Sequence, residues 1–307
     1  MTFDAKLISI IVPTYKRPEA LERVLNSIDG SQVEGFKVEI VVADNDPLAS
    51  ASEFMAKYME SSRSPITHIH IPEPGVSNAR NGALAAANGR YILFIDDDME
   101  ADLGWAQTLV QGALQFDATL AFGPIDAKMP ASGNSLFDYM QPLFCRHRDY
   151  ETGLMNEGIG TGNCFVDRGK EALPNPAFDP ALNHSGGEDN VFFDHLMAQG
   201  AKVAWIEAAN TIEHVPAQRA TLNFVWRRNF AWGQGPSQHE ADKGLSGLPG
   251  ILKWMAIGVA QTFTYAFLWG IAKLRRRPES VQHFGRLAQA LGKIFWAERL
   301  APKLYGI

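Results

Sequence analysis

The first hundred residues alternate short apolar runs with segments of helical spacing. The apolar runs are LISIIVP, KVEIVVADND, ITHIHIP and RYILFIDDD, and the helical segments between them are RPEALERVLNSI, EFMAKYME and VSNARNGALAAAN. Buried strands separated by helices are typical of βαβ units, in which a mostly parallel sheet carries helices on both faces. We therefore predict an α/β fold whose first half occupies residues 1–100.

The second half of the chain has a less regular pattern. Helical spacing recurs in WAQTLVQGALQF, DNVFFDHLMAQG and LNFVWRRNFAWG, while TLAFGPID, NCFVDR and KVAWIEAANTIEHV predict short strands. Residues 237–250, SQHEADKGLSGLPG, combine glycine with polar residues and predict a linker. We expect one globular domain over residues 1–236, with halves at 1–100 and 101–236.

Residues 251–307 predict a basic, amphipathic helical extension. Its stretch from Trp254 to Ala272 has no formal charge, and that length permits a membrane span. Gln261, Tyr265 and two threonines dilute its apolar character, and a single span would export the basic residues that follow it, against the positive-inside rule. We expect helices that lie in or dip into the membrane interface. A true span and a soluble helical cap are the alternatives.

Charge and cysteine content narrow the class of protein. The net charge is −6, yet the segment from Lys273 onward has eight basic and two acidic residues, so it carries +6 and the rest carries −12. An acidic body with a basic tail argues against nucleic-acid binding. Cys145 and Cys164 lack a CxxC spacing, which disfavours a disulfide framework or a cysteine zinc site and favours a cytoplasmic location. The first apolar run is too short for a signal peptide.

Polar residues follow three of the predicted strands. They are Thr14–Arg17, Asp44–Asp46 and Asp96–Asp98, and the carboxyl ends of parallel strands share one edge, where ligands bind. Three adjacent carboxylates raise one another's pKa unless something neutralises them. Hard oxygen ligands suit Mg²⁺ or Mn²⁺, which in turn hold substrate phosphates. The alternative is a solvated turn whose aspartates cap a helix.

The motifs around this acidic rim carry a family resemblance. They are PTYKRP, DND, GVSNARNGAL, DDD, GGEDNVFF and IEHVPAQRATLNFVWRRNFAWGQG. Together and in this order they resemble the inverting nucleotide-sugar glycosyltransferases of family 2, which have the GT-A fold. The most similar subgroup is the succinoglycan-type exopolysaccharide glycosyltransferases, and the resemblance covers residues 8–235. It implies metal-dependent transfer from a UDP-sugar to a saccharide acceptor. The basic, apolar C-terminus favours a lipid-linked acceptor, because docking on the cytoplasmic face of the inner membrane would bring the active site to it.

The resemblance also implies a role for each matching residue. The expected nucleotide-binding residues are Pro13, Tyr15, Arg17, Asp44, Asn45, Arg80, Asp96 and Asp97. The expected ligands of Mn²⁺ or Mg²⁺ are Asp98, Asp96 and His214, and the catalytic pair is Asp189, the general base, with Glu188. Trp226, Arg227 and Arg228 would clamp the donor diphosphate or an acceptor phosphate. The third acid, Asp97, leaves open whether it or Asp96 faces the ribose.

Each role has a structural alternative. Asp44 could merely terminate a strand, His214 could be a core or surface histidine, and the Arg227–Arg228 pair could be a solvated helix face. Glu188 and Asp189 could cap a helix, which is compatible with catalysis. For the whole chain, a phosphatase with an aspartate nucleophile and a nucleotidyltransferase fit the motif order less well. A non-catalytic sugar-nucleotide-binding or assembly scaffold at the membrane is the main alternative.

Overall fold

The structure is a computed structural model that describes residues 3–131, 136–148, 151–183 and 186–302. The end of the predicted extension, residues 303–307, lies outside the described residues. The strands are β1 Asp4–Thr14, β2 Lys37–Asp44, β3 Ile66–His70, β4 Gly89–Ile95, β5 Met99–Ala101, β6 Leu120–Phe122, β7 Ile125–Lys128, β8 Gly153–Met155, β9 Asn163–Asp167, β10 Val203–Trp205 and β11 Thr211–His214. The α-helices are α1 Pro18–Ile28, α2 Ser52–Met59, α3 Val76–Ala86, α4 Trp105–Gln115, α5 Phe137–Met140, α6 Glu188–Ala198, α7 Leu222–Ala241, α8 Leu248–Leu274 and α9 Ser280–Ile294.

Eight strands form the central sheet in the order β3-β2-β1-β4-β9-β6-β10-β8. The pairs among β1, β2, β3 and β4 are parallel, as is β6 with β10, whereas β9 and β8 run antiparallel to their neighbours. A smaller sheet has the order β5-β11-β7. The predicted α/β fold with a mostly parallel sheet is therefore confirmed.

Successive residues of the central strands point into two separate cores. In β1, Ile10 packs with α1 and α4 on one face, while Ile11 packs with α3 and α6 on the other. Both residues are fully buried. Because side chains alternate along a strand, a strand covered on both faces must be apolar throughout, which is why LISIIVP reads as a continuous apolar run.

The chain divides into two compact units. The first comprises residues 1–126 and 145–214, and the second comprises residues 127–144 and 215–307. The first unit contains the central sheet with helices α1–α4 and α6. The second contains α5 and the three long helices α7, α8 and α9, which pack together. The predicted boundary at residue 236 instead falls inside α7.

The predicted linker over residues 237–250 is wrong, because most of this stretch is helical. Helix α7 continues through Pro236 to Ala241, and α8 begins at Leu248. Two glycines outside this stretch allow α7 and α9 to pack closely. A methyl group at Gly233 would collide with the backbone oxygen of Gln289 in α9, and one at Gly292 would collide with that of Phe230.

Helix α8 combines length with an apolar and largely exposed surface. The most apolar 18-residue window of the stretch Gly244–Leu274 has a mean hydropathy of 1.3, and among the described residues this is the one helical segment long and apolar enough to cross a membrane. Only 11% of its most apolar window is buried. The core helix of a soluble protein would be mostly covered, so this surface lacks a partner of its own inside the described chain.

Candidate active site

The carboxyl ends of β1, β2 and β4 meet at one edge of the central sheet, as predicted. Thr14, the last residue of β1, donates a hydrogen bond from Oγ1 to Oδ2 of Asp97, at 2.9 Å. The backbone N–H of Asn45, just after β2, donates to the carbonyl of Thr14 at 2.9 Å. The acidic residues after β4 are therefore held directly against the end of β1.

Arg17 supplies the charge that the three aspartates require. Its Nη1 lies 3.0 Å from Oδ1 of Asp97 and 2.9 Å from Oδ2 of Asp98. Burial opposes the charged form of the Arg17 guanidinium, but the charges of Asp97 and Asp98 outweigh it and raise the arginine's pKa. One cation from the loop after β1 thus bridges two carboxylates of the rim.

The neighbouring acids Asp96 and Asp97 have different surroundings. Asp97 is buried, and burial, followed by the charge of Asp98, raises the pKa of its carboxyl to about 6. Asp96 is more exposed, and its Oδ1 accepts a hydrogen bond of 3.4 Å from Nη2 of Arg80. Asp96 therefore faces Arg80, whereas Asp97 faces Arg17 and the end of β1.

Arg80 links the acidic rim to the start of α6. Its Nη2 reaches Asp96, and its Nη1 forms an ion pair with the buried carboxylate of Glu188. Its guanidinium also lies 5.6 Å from the ring centre of Phe178. We expected Arg80 to contact the nucleotide and Glu188 to serve catalysis. In this structure the two side chains form a buried ion pair with each other, and these roles stay predictions.

Asp189, the next residue along α6, is the half-exposed member of the Glu-Asp pair. Its Oδ1 accepts a hydrogen bond from the N–H of Asn190 at 2.9 Å. Gly187 precedes the helix with a φ of +93°, a conformation that favours glycine. This turn buries Glu188 while leaving Asp189 toward solvent. A carboxylate that a buried ion pair positions, yet that solvent can reach, suits a general base.

Asp44 and Asn45 organise the loops around the edge. The fully buried carboxylate of Asp44 accepts hydrogen bonds from the N–H groups of Asp46 and Ala51, at 3.0 and 2.8 Å. Asn45 donates to two carbonyls of the segment after β3 and accepts from the N–H of Gly75 at 2.7 Å. Both side chains therefore hold the backbone of the loops at this edge, and their predicted contact with the nucleotide stays a prediction.

Two residues expected to line the nucleoside pocket stand beside this rim. Pro13 is half-buried in β1, and the ring of Tyr15 is partly exposed. The ammonium of Lys16 lies 5.0 Å from the ring centre of Tyr15. Lys16 also reaches Asp46, with 3.7 Å between Nζ and Oδ1. An exposed aromatic face beside two basic residues can accept a base and a phosphate.

His214 is joined to the rim through its backbone and faces a further acid. Its N–H donates to the carbonyl of Asp98 at 2.8 Å, while its Nε2 lies 2.7 Å from Oε2 of Glu100. Glu100 was not among the predicted site residues. Carboxylate oxygens and an imidazole are ligands that Mg²⁺ or Mn²⁺ accepts, but in this structure the His214 ring is paired with Glu100 and the carboxylate of Asp98 with Arg17.

The residues of the predicted phosphate clamp belong to the second unit and contact aromatic rings there. Trp226 stacks on Phe284 of α9, with 4.8 Å between ring centres. Arg228 lies over two rings, 5.2 Å from the centre of Phe144 and 4.5 Å from that of Trp232. Trp232, which is 49% exposed, was not among the predicted site residues.

Arg146 has a role that sequence analysis missed. Its guanidinium donates five hydrogen bonds of 2.7–3.2 Å to backbone carbonyls, those of Gly123, Ile159, Gly160 and Asn163. Burial lowers its pKa to about 10. A single arginine in a loop-rich segment carries no motif, so only the folded chain reveals this anchor.

A mostly parallel, GT-A-like sheet with acidic residues at the carboxyl ends of its strands is typical of sugar-transferring enzymes. Residues 9–167, more than half of the chain, match the family described as Glycosyl transferase family 2. The chain belongs to this family and is a glycosyltransferase. The predicted family and enzyme class are confirmed.

Known relatives agree with this assignment. The succinoglycan biosynthesis protein ExoM of Rhizobium meliloti (strain 1021) is 29% identical over 242 residues, covering 77% of this chain and 76% of ExoM. The minor teichoic acid biosynthesis protein GgaB of Bacillus subtilis (strain 168) is 35% identical over 229 residues, covering 73% of this chain and 25% of GgaB. The crystal structure of GalNAc-T7 with UDP, GalNAc and Mn²⁺ has a TM-score of 0.55 at 16% identity, covering 76% and 51% of the two chains, and supports the fold alone.

Proposed function

We propose that this protein is a metal-dependent, inverting glycosyltransferase that moves a sugar from UDP to a saccharide acceptor. The observation that carries the proposal is the bridge through Arg80. It connects Asp96 in the rim to Glu188 at the start of α6. Because Asp189 follows Glu188 in the helix, the bridge holds a solvent-accessible carboxylate at a fixed place relative to the acidic rim.

Different residues of the rim would bind the metal ion and the nucleoside of the donor. Asp98, Asp96 and His214 would hold Mn²⁺ or Mg²⁺, which supplies positive charge that stabilises the leaving diphosphate. Tyr15 offers its exposed ring to the base, and Pro13, Arg80 and Asp97 frame the nucleoside side of the edge. Arg17 would balance the charge of Asp97 and Asp98 whenever the divalent ion is absent.

Asp189 would act on the acceptor. Its carboxylate accepts the proton of the acceptor hydroxyl while that oxygen attacks the anomeric carbon. The bond from this carbon to the diphosphate oxygen breaks on the opposite face, so the anomeric configuration inverts. A positioned general base contributes roughly 10²–10⁴-fold to such a rate.

A UDP donor and a lipid-linked acceptor are the finer parts of the proposal. The fold resembles that of GalNAc-T7 crystallised with UDP and Mn²⁺, and named relatives serve exopolysaccharide and teichoic acid biosynthesis. The exposed apolar surface of α8 and the basic residues after it suit the cytoplasmic face of a membrane. Docking there would bring a lipid-anchored saccharide to a peripheral enzyme.

Calorimetric titration of UDP, and then GDP, tests the donor site. We expect UDP to bind with Mn²⁺ present, to lose affinity when the metal is chelated, and to lose it also in Asp98→Ala. The variant Asp189→Asn should keep UDP affinity and lose transfer by at least 100-fold. Asp194→Asn, an exposed acid on the same helix, is the matched control and should keep both. Wild-type transfer rates in Asp189→Asn would contradict the assigned base.

A further inference from the structure

A short antiparallel bridge places three metal-ligand side chains on one face. Ile125 of β7 and Arg146 exchange backbone hydrogen bonds of 3.0 and 2.8 Å. Directly opposed residues of an antiparallel pair point to the same side, and their neighbours point to the other. Asp126, Cys145 and His147 therefore share the face opposite Ile125 and Arg146.

The potential ligand atoms of these three residues are already close together. All of them lie within 4.8 Å of one another. Nε2 of His147 is 2.9 Å from Oδ1 of Asp126, whose Oδ2 accepts a hydrogen bond of 3.1 Å from Asn210. The amide of Asn210 orients the carboxylate in the way that supporting partners orient metal ligands.

The segment that carries two of these ligands is held rigidly from behind. Arg146, which stands between Cys145 and His147, fastens the strand through its five hydrogen bonds to backbone carbonyls. A ligand set on such a segment loses little conformational freedom when an ion binds. Solvent reaches the cluster, since the side chains of His147 and Asp126 are 54% and 51% exposed.

We propose that Asp126, Cys145 and His147 form a binding site for Zn²⁺, separate from the carboxylate rim. A thiolate, an imidazole and a carboxylate are the ligands that zinc takes in tetrahedral sites, and a fourth position remains for water. Thiolate sulfur disfavours Mg²⁺ and Mn²⁺, so the two sites differ in the metal that they select. The absence of a CxxC spacing argued against a cysteine zinc site. The ligand set has no CxxC spacing because it comes from two parts of the sequence, and folding brings Asp126 to a Cys-X-His segment that begins 19 residues later.

Titration with Co²⁺, a spectroscopic substitute for Zn²⁺, tests the site on the metal-stripped full chain. We expect one equivalent of Co²⁺ to produce a near-ultraviolet thiolate-to-cobalt charge-transfer band that added Zn²⁺ abolishes. Cys145→Ser should remove the band. His147→Ala should lower Zn²⁺ affinity by at least the ~100-fold that loss of a supporting partner can cost.

Two control variants separate this site from other thiols and from the donor site. Cys164→Ala removes the buried thiol and should leave the band intact, and Asp98→Ala should do the same because oxygen ligands give no thiolate band. The charge-transfer band does not depend on UDP or on sugar transfer. Its absence would therefore argue against the zinc site alone and not against the proposed glycosyltransferase function. A wild-type titration without a thiolate band, or a band that survives in Cys145→Ser, overturns the proposal.

Discussion

At the scale of single residues, Arg17 neutralises adjacent carboxylates of the acidic rim. The side chain of Arg17 is 37% exposed, but the carboxylates of Asp97 and Asp98 are 7% and 9% exposed. Two buried like charges without a partner are strongly destabilising, whereas a bridging cation and a bound metal can each satisfy them. Arg17 and the proposed divalent ion would therefore both neutralise the carboxylate of Asp98.

The variant Arg17→Ala tests whether Arg17 and the metal ion neutralise the same carboxylate. In chelator we expect the free energy of unfolding of the variant to be about 1–2 kcal/mol lower than that of the wild type. Loss of a fully buried ion pair would cost more, but solvent partly screens Arg17. Mn²⁺ should then raise the melting temperature of the variant more than that of the wild type. Lys57→Ala, which breaks the exposed pair with Glu53, should change stability little. Equal responses to Mn²⁺ in Arg17→Ala and wild type would argue against a shared role.

The raised pKa of Asp97 predicts a pH dependence of stability in metal-free protein. The pKa rises from 3.8 to about 6 on folding, chiefly because the carboxyl is buried. A raised pKa contributes stability that is complete below pH 3.8 and is lost as pH rises through 6. Compared with Asp97→Asn, the wild type should therefore lose up to about 3 kcal/mol of unfolding free energy between pH 4 and pH 7. Denaturant titrations in chelator measure this, and a pH-independent difference would refute the assignment.

The sequence identified the residues of the rim but not their partners. The order of acids after apolar runs was enough to place Thr14 and Asp97 at one edge, because parallel strands end together. Nothing in that order shows that Arg80 binds Glu188, which is 108 residues away, or that His214 turns to Glu100. Such pairings depend on which loops lie side by side, and a single sequence does not encode this as a local pattern.

At the scale of elements, local periodicity predicted the strands and helices of the first hundred residues and the start of α7, but not where α7 ends. Glycine and polar residues over residues 237–250 indicated a linker. In the structure Gly233 and Ser237 are buried, and Oγ of Ser237 donates to the carbonyl of Lys293 at 2.9 Å. Small residues here let two helix backbones approach closely, a tertiary reason that local propensity does not contain.

A pair of glycine variants in α7 can separate packing from propensity. Gly233→Ala should destabilise the protein by about 1–3 kcal/mol, because its methyl group meets the backbone of Gln289 in α9. A methyl group at Gly235 would meet no atom within 4 Å. Gly235→Ala should therefore stabilise the protein by roughly 0.5–1 kcal/mol, because alanine has the higher helix propensity. Thermal or denaturant unfolding compares them. A Gly233→Ala variant at least as stable as the wild type would show that α7 and α9 are not in close contact there.

At the scale of the whole molecule, charge and apolar surface are both concentrated near the C-terminus. Six exposed apolar side chains of α8 are spaced so that they fall within about 100° of arc. They are Leu248, Leu252, Val259, Phe263, Phe267 and Leu274. Lys253 and Lys273 project on either side of this stripe, and residues 248–277 contain no acid. The opposite face of α8 packs on α9, as at Gly258 and Ala290.

This arrangement favours docking in the plane of the membrane over a span. A spanning helix is surrounded by lipid, whereas α8 is covered on one side by α9, whose surface carries Arg286 and other polar residues. An apolar stripe flanked by lysines matches the boundary between acyl chains and anionic headgroups. The sequence predicted an interfacial helix from its length and flanking charges, and the exposed stripe now specifies which side chains would enter the lipid.

The double variant Phe263→Ser/Phe267→Ser tests this surface with the full-length protein. Each ring transfers roughly 2 kcal/mol of apolar free energy into lipid, so we expect affinity for phosphatidylglycerol vesicles to fall by about 100-fold or more in co-sedimentation. Leu103→Ser, a fully exposed apolar residue of the first unit, is the matched control and should bind like wild type. Neutral vesicles should bind the wild type more weakly, because they lack the anionic headgroups that the lysines and arginines contact.

UDP affinity should be unchanged in the double variant. A loss of transfer only with membrane-bound acceptor would therefore show that α8 serves access to the acceptor. Undiminished vesicle binding would instead leave the stripe as a surface for another protein.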